Sequence, residues 1–137
     1  MSTNKELAVQ YLTEQGYHCK EYDDRAFRLT FAGDNCSDIS ILILFDDSSS
    51  DMVRLQCDAV SNANFNGKEA TGLALCNNLN GQYRWVKFYL NEESNICAFV
   101  DGMVEPNTCG REVYRLLNLI VGIIDEAYPD IMRARFA

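Results

Sequence analysis

The segment "DISILILF", residues 38–45, constrains the fold more than any other part of the chain. Read as a strand, it puts Ile41, Ile43 and Phe45 on one face and Leu42 and Leu44 on the other. A strand apolar on both faces belongs inside a sheet, with cover on each side. Its sequence neighbours read as half-buried partners. "RAFRLTF" alternates Phe27, Leu29 and Phe31 with polar residues, and "MVRLQCDA" directs Val53, Leu55, Cys57 and Ala59 inward. Asp23-Asp24 and "DDSSSD" supply the turns between these strands.

Around this hairpin series the punctuation predicts helices. Thr3-x-x-Glu6 is a capping box that opens a helix over residues 4–15, and Gly16 stops it. A weak strand, Tyr17 to Tyr22, follows. "SNANFNG" breaks the chain before a helix over residues 67–79, where Leu73, Cys76 and Leu79 recur at helical spacing and Asn80-Gly81 closes the element. "YRWVKFYL" and "NICAFVDGM" read as strands around the turn "NEESN". The stretch "NTCGREVYRLLNLIVGIIDEAYPD" is a long helix that should end before Pro129. Hairpins interrupted by helices imply one α+β domain over residues 1–137. Its architecture would be two layers, an antiparallel sheet of five to six strands and three helices.

Charge narrows the partners. The net charge is -8, and the 12 Lys and Arg residues do not cluster into a phosphate-tracking stripe, so no nucleic acid is expected as a direct partner. No apolar run approaches the ~20 residues that span a bilayer, and no membrane association is expected. "MSTNKELAVQYL" lacks the apolar centre of a secretory signal, so the expected location is cytoplasmic.

The chemistry-bearing residues do not assemble into a reaction. Cys19, Cys36, Cys57, Cys76, Cys97 and Cys109 include no CxxC pair, and the lone His18 completes no local zinc set. Reduced, mostly buried thiols are the expectation. His18 and Cys19 are strand neighbours in this reading and would face opposite ways, which rules out a dyad. "DDSSSDMVRLQC" lacks the glycine at position six and the glutamate at position twelve of a calcium hand. No nucleophile elbow, phosphate-cradling glycine loop or zinc-protease motif occurs. Asp23-Asp24, Asp46-Asp47 and Glu92-Glu93 each fall in a turn, where carboxylates accept local backbone bonds. The chain is therefore expected to be no enzyme, with no cofactor and no metal.

Alternation in "YRWVKFYL" places Tyr83, Trp85, Lys87 and Tyr89 on one face and Val86, Phe88 and Leu90 on the other. In the next strand Ile96, Ala98 and Val100 oppose Cys97 and Phe99. Helices on one side of such a sheet leave a second apolar face to be covered.

The segment "LCNNLNGQYRWVKFYLNEESNICAFVDGMV", with the helix ending "IIDEAYPDI" after it, resembles the YbjN family of bacterial proteins. The resemblance runs over roughly residues 4–131 and is sharpest from Cys76 to Asp101. It implies a fold similar to type III secretion chaperones and a role among proteins labelled sensory transduction regulators. It also implies that Asn77, Asn78 and Asn80 occupy the family's Asn-containing helix end, where helix capping and turn formation are the ordinary uses of such amides. This chain departs from common members in its six cysteines and its "YRW" strand entry.

Two functions follow as expectations. The first is a non-catalytic protein-interaction module, a chaperone-like adaptor or regulator that binds a protein partner. The second is a small-molecule sensor with a pocket on the sheet lined by Tyr83, Trp85, Tyr89 and Phe99, and with Asn62, Asn64 and Asn66 nearby. A homodimer is also expected. On the C-terminal helix Val113, Leu117, Ile120, Ile124 and Ala127 form a core stripe. Leu116, Leu119 and Ile123 flank it on one side, and Tyr114, Val121 and Tyr128 on the other. This apolar arc is wider than the ~100° that one packed face needs. The dimer would bury the sheet face around Trp85 and Tyr89, with the helix edge as a weaker candidate.

Overall fold

In the computed structural model, which describes residues 2–47 and 50–137, β3 (Ile39–Phe45) is an interior strand, as its two apolar faces require. It lies between β2 (Ala26–Phe31) and β4 (Met52–Cys57), with β1 (Lys20–Asp23) outside β2. On the other flank β4 pairs with β6 (Ile96–Met103), and β5 (Lys87–Leu90) forms the far edge. Every pair is antiparallel. Among the described residues the elements are these six strands, three α-helices and a short 3-10 turn at Val60–Asn62. The architecture is the expected α+β one. Ser48 and Ser49 of the "DDSSSD" turn lie outside the described residues.

The helices are α1 (Asn4–Glu14), α2 (Glu69–Gln82) and α3 (Cys109–Phe136). The inward sheet residues, including Phe27, Ile41, Ile43, Phe45, Leu55, Phe88, Ala98 and Val100, form one core with buried residues of all three helices. The α3 stripe of Val113, Leu117, Ile120, Ile124 and Ala127 is fully buried, as helical periodicity demands, and Ile131 extends it by a turn. The Thr3 capping box forms, with the Glu6 amide donating to Thr3 Oγ1 at 3.1 Å and the Thr3 amide donating to Glu6 Oε1 at 2.9 Å. Tyr114 packs its ring 5.9 Å from both Tyr11 and Tyr17, tying α1 to α3.

Four boundaries differ from the sequence reading. The first strand starts at Lys20, so the exposed His18 lies in the loop before it rather than on a strand. Helix α2 runs through Gly81 to Gln82, and its buried side is Gly72, Leu75, Cys76 and Leu79, with Leu73 outward at 58% exposure. Gly81 thus closes nothing. Strand β5 begins only at Lys87, because the Val86 amide donates to the Arg84 carbonyl at 2.8 Å across Trp85, whose φ is 73°. That γ-turn breaks the alternation assumed through Tyr83 and Trp85.

The fourth difference is the largest. Helix α3 continues through Pro129 to Phe136. Proline has no amide to donate, which deprives the carbonyl four residues earlier, on Asp125, of its helical partner. Asn35 Nδ2 donates to that carbonyl at 3.2 Å. Beyond the proline, Lys68 Nζ donates to the carbonyls of Arg135 and Ala137 at 2.8 and 3.1 Å, and so caps the helix end.

Candidate functional site

The outer face of the sheet is not the uniform apolar surface that the sequence suggested. Leu42 and Cys97 are buried there, outside the main core, but Arg28, Ser40, Arg54 and Gln56 share the face with them. The Arg54 guanidinium sits 4.2 Å from the centroid of the Phe99 ring and forms a two-pronged ion pair with Asp101, at 2.7 and 2.9 Å. Tyr89 meets Phe99 edge-on at 5.9 Å. Much of the apolar content of this face is therefore covered by the chain's own long polar side chains.

The four aromatic residues proposed to line a pocket do not converge on one. Tyr89 and Phe99 are on the outer face, Tyr83 packs 6.4 Å from the core residue Phe88, and Trp85 projects elsewhere from its γ-turn. Of the amides assigned to the same pocket, the Asn64 side chain is used otherwise. Asn64 Nδ2 donates to the Glu93 carbonyl and Asn95 Oδ1 at 2.7 and 2.9 Å, and Asn64 Oδ1 accepts the backbone N–H of Asn66 at 2.8 Å. Asn64 thus ties its loop to the β5–β6 turn. On α3, Tyr114, Val121 and Tyr128 are half-buried against the core rather than gathered with Trp85.

Asn80 explains part of the amide cluster at the end of α2. Its Oδ1 accepts the Phe88 amide at 2.7 Å and its Nδ2 donates to the Phe88 carbonyl at 3.0 Å. A side chain thus occupies the outward hydrogen-bonding groups of Phe88, which blunts the edge strand at that residue against pairing with another chain. Asn77 and Asn78 remain exposed.

What the structure does bring together is a groove of about 720 Å³ at the far end of β6. Trp85, Met52 and Met103 line it, with exposures of 71%, 50% and 76%. Leu116 and Leu119 of α3 form its apolar wall, and Asp101, Glu112 and Arg115 form a charged rim. Gly102 lets the helix come close, since a Cβ there would lie 2.6 Å from Leu116 Cδ1. Met52 and Met103 are direct cross-strand partners. Of the groove residues, the sequence reading singled out Trp85 as a site residue and left Leu116 and Leu119 as helix flank. Met52 and Met103 were missed, because their pairing depends on the register between strands separated by a whole helix.

Trp85 is held at a cost. A non-glycine residue with positive φ is strained by about 1–3 kcal/mol, and the strain persists where the surrounding structure fixes it. Here the result is a large aromatic ring facing solvent beside two flexible thioether side chains, a combination suited to adaptable apolar contact.

The reactive groups stay apart from this groove. Cys36, Cys57, Cys76, Cys97 and Cys109 are buried and Cys19 is half-buried, as expected from the sequence. Burial pushes the thiols of Cys57, Cys76 and Cys109 up to about 11, which keeps them protonated at neutral pH. Among the described residues no three His, Cys, Asp or Glu side chains converge in a way that could hold a metal ion. No helix in that part of the chain is long and apolar enough to cross a membrane.

Three comparisons bear on this arrangement. No curated protein matches the chain. One solved structure, described as "Crystal Structure of the ExsC-ExsE Complex", contains a chain 13% identical to this one, with 86% of this chain and 90% of that chain covered at a TM-score of 0.48. Residues 7–131 match a family model described as "Putative bacterial sensory transduction regulator", and by that match the chain belongs to the YbjN family.

Proposed function

We propose that the chain is a single non-catalytic protein-interaction module that acts in the cytoplasm as a chaperone-like adaptor or regulator. The observation that carries this reading is the groove at the end of β6, where Trp85, Met52 and Met103 stay exposed beside Leu116 and Leu119. Exposed aromatic and methionine side chains around an apolar wall are the composition of a docking surface, and aromatic anchors of this kind dominate binding energy. The groove lacks the convergent buried polar groups that orient a small ligand, so a protein segment suits it better than a metabolite.

The test compares proteins that copurify with the wild type and with Trp85→Asp. Trp85 is exposed and sits at positive φ, which Asp tolerates better than most residues, so the variant should fold. Loss of one defined partner from the variant, with an unchanged circular dichroism spectrum, is the expected result. An unchanged set of partners would overturn the reading.

A second copy of the chain is the reading that Tyr89 favours. It is exposed on the outer sheet face beside Phe99, an aromatic pair that a second sheet could cover. Such a dimer would bury at least about 1,000 Å² in total. Light scattering at micromolar concentration should then give twice the 15.5 kDa chain mass, falling to one chain mass in Tyr89→Asp. A wild-type monomer would end the dimer proposal and leave the groove proposal standing.

A further inference from the structure

The wall of the groove contains an open strand edge. Strand β6 pairs with β4 from Ala98 to Met103, but with β5 only from Ile96 to Phe99. The γ-turn at Trp85 leads the chain away before β5 could continue along β6. Among the described residues, 100–103 therefore have a strand partner on the β4 side alone.

The direction of the backbone groups follows from the register. Phe88 turns its amide and carbonyl outward to Asn80, so its partner Ala98 turns toward β4. Val104, six residues on and in phase with Ala98, donates to the Asp51 carbonyl at 2.8 Å, which agrees. With a period of two, Asp101 and Met103 point their amides and carbonyls into the groove. The two sheet edges at this end thus differ: Asn80 covers the outward groups of Phe88 in β5, while the last residues of β6 have no such cover among the described residues.

We infer that the groove takes an extended segment of a partner protein, which adds as a short strand along Asp101–Met103. This deepens the protein-binding reading and rests on it. A strand in that place would alternate its side chains between the Leu116 and Leu119 wall and the side of Asp101 and Met103. Apolar residues suit the first set. Basic residues suit the second, because Asp51, Asp101, Glu105 and Glu112 surround the Met103 end and the whole chain carries -8. Arg54 engages Asp101, and Arg111 and Arg115 engage Glu112, while Asp51 and Glu105 have no cation within ion-pair distance among the described residues. The same charge disfavours a second copy as the occupant, since it would bring another -8 to an acidic rim.

The probe is a capped hexapeptide of alternating valine and lysine, titrated into the full chain while the fluorescence of Trp85, the one tryptophan, is followed. Saturable change is expected, at least tenfold weaker for the valine–glutamate peptide. Two further peptides carry N-methyl groups on the valines or on the lysines. Only one set of amides faces β6 in a strand, so one methylated peptide should lose at least tenfold in affinity and the other should bind as before. Equal binding by both methylated peptides would overturn strand addition while leaving the groove a docking surface. Equal binding of the lysine and glutamate peptides would overturn the basic character of the occupant. No fluorescence change with any peptide, while a partner still depends on Trp85, would overturn the extended-segment inference and leave the protein-binding reading intact.

Discussion

Asn35 donates its side-chain amide to the carbonyl of Asp125 at 3.2 Å, the carbonyl that Pro129 leaves without a helical partner. A loop between two strands thus repairs a gap in the C-terminal helix and allows it to run another two turns. Replacing Asn35 by Ala should cost about 1 kcal/mol, the net value of one such bond. In a Pro129→Ala background the helix regains its own donor, and the same substitution should cost clearly less. Denaturant unfolding of the four proteins in this cycle measures the difference. Equal costs in both backgrounds would separate the two residues.

The Asp125 carboxylate binds the same loop. Its oxygens accept the amides of Cys36, Asn35 and Asp34 at 2.7, 2.9 and 3.1 Å, and Gly33 lies so close that a Cβ there would strike the carboxylate. The bond from Cys36, then those from Asn35 and Asp34, hold its pKa below the ordinary 3.8. A depressed carboxylate contributes stability above its unfolded value, and that stability is lost as pH falls through the lower folded value. The wild type should therefore lose an increment of stability below pH 3.8 that Asp125→Asn never has. Unfolding curves between pH 2 and 6 should converge for the two proteins at the acid end, and parallel curves would contradict the assignment.

Thiol ionisation should lower stability at alkaline pH. Cys57, Cys76 and Cys109 have folded values of about 11 against an unfolded 9.0, with burial as the main cause. Between those values the unfolded chain releases protons that the folded chain keeps, so stability should fall as pH rises from 9 toward 11. Native thiol titration at neutral pH should label few of the six cysteines, and denaturant should expose all of them. Rapid labelling of Cys57 in the native protein would contradict its burial.

Asn80→Ala should release the edge of β5. The Phe88 amide loses its acceptor and the carbonyl its donor, which should cost about 1–2 kcal/mol. Hydrogen exchange at Phe88 should accelerate, and the variant should aggregate more readily because the edge becomes available. Unchanged exchange at Phe88 would show that another group protects it.

Much of this fold is legible in the sequence, where the deciding physics is local. Ile39–Phe45 reads as central because both its faces are apolar, Thr3 and Glu6 announce their cap, and the α3 stripe follows from helical period alone. The failures come where a distant residue overrides a local rule. Pro129 should end a helix, but Asn35, 94 residues earlier, supplies a partner for the exposed carbonyl. Trp85 sits within a run of strand-forming residues, but the γ-turn ends their alternation there. For the site, aromatic content pointed to Trp85, Tyr89 and Phe99, but only the register of β4 on β6 places Met52 against Met103.

Docking in the groove is tested by site-specific photo-crosslinking in cells, with a photoreactive residue at Met103 in the groove and, for comparison, at the exposed Gln10 on α1. A discrete crosslinked protein is expected from Met103, none from Gln10, and loss of the Met103 adduct when Trp85→Asp is added. Adducts of equal yield from both positions, or a Met103 adduct indifferent to Trp85→Asp, would contradict the groove as the docking surface.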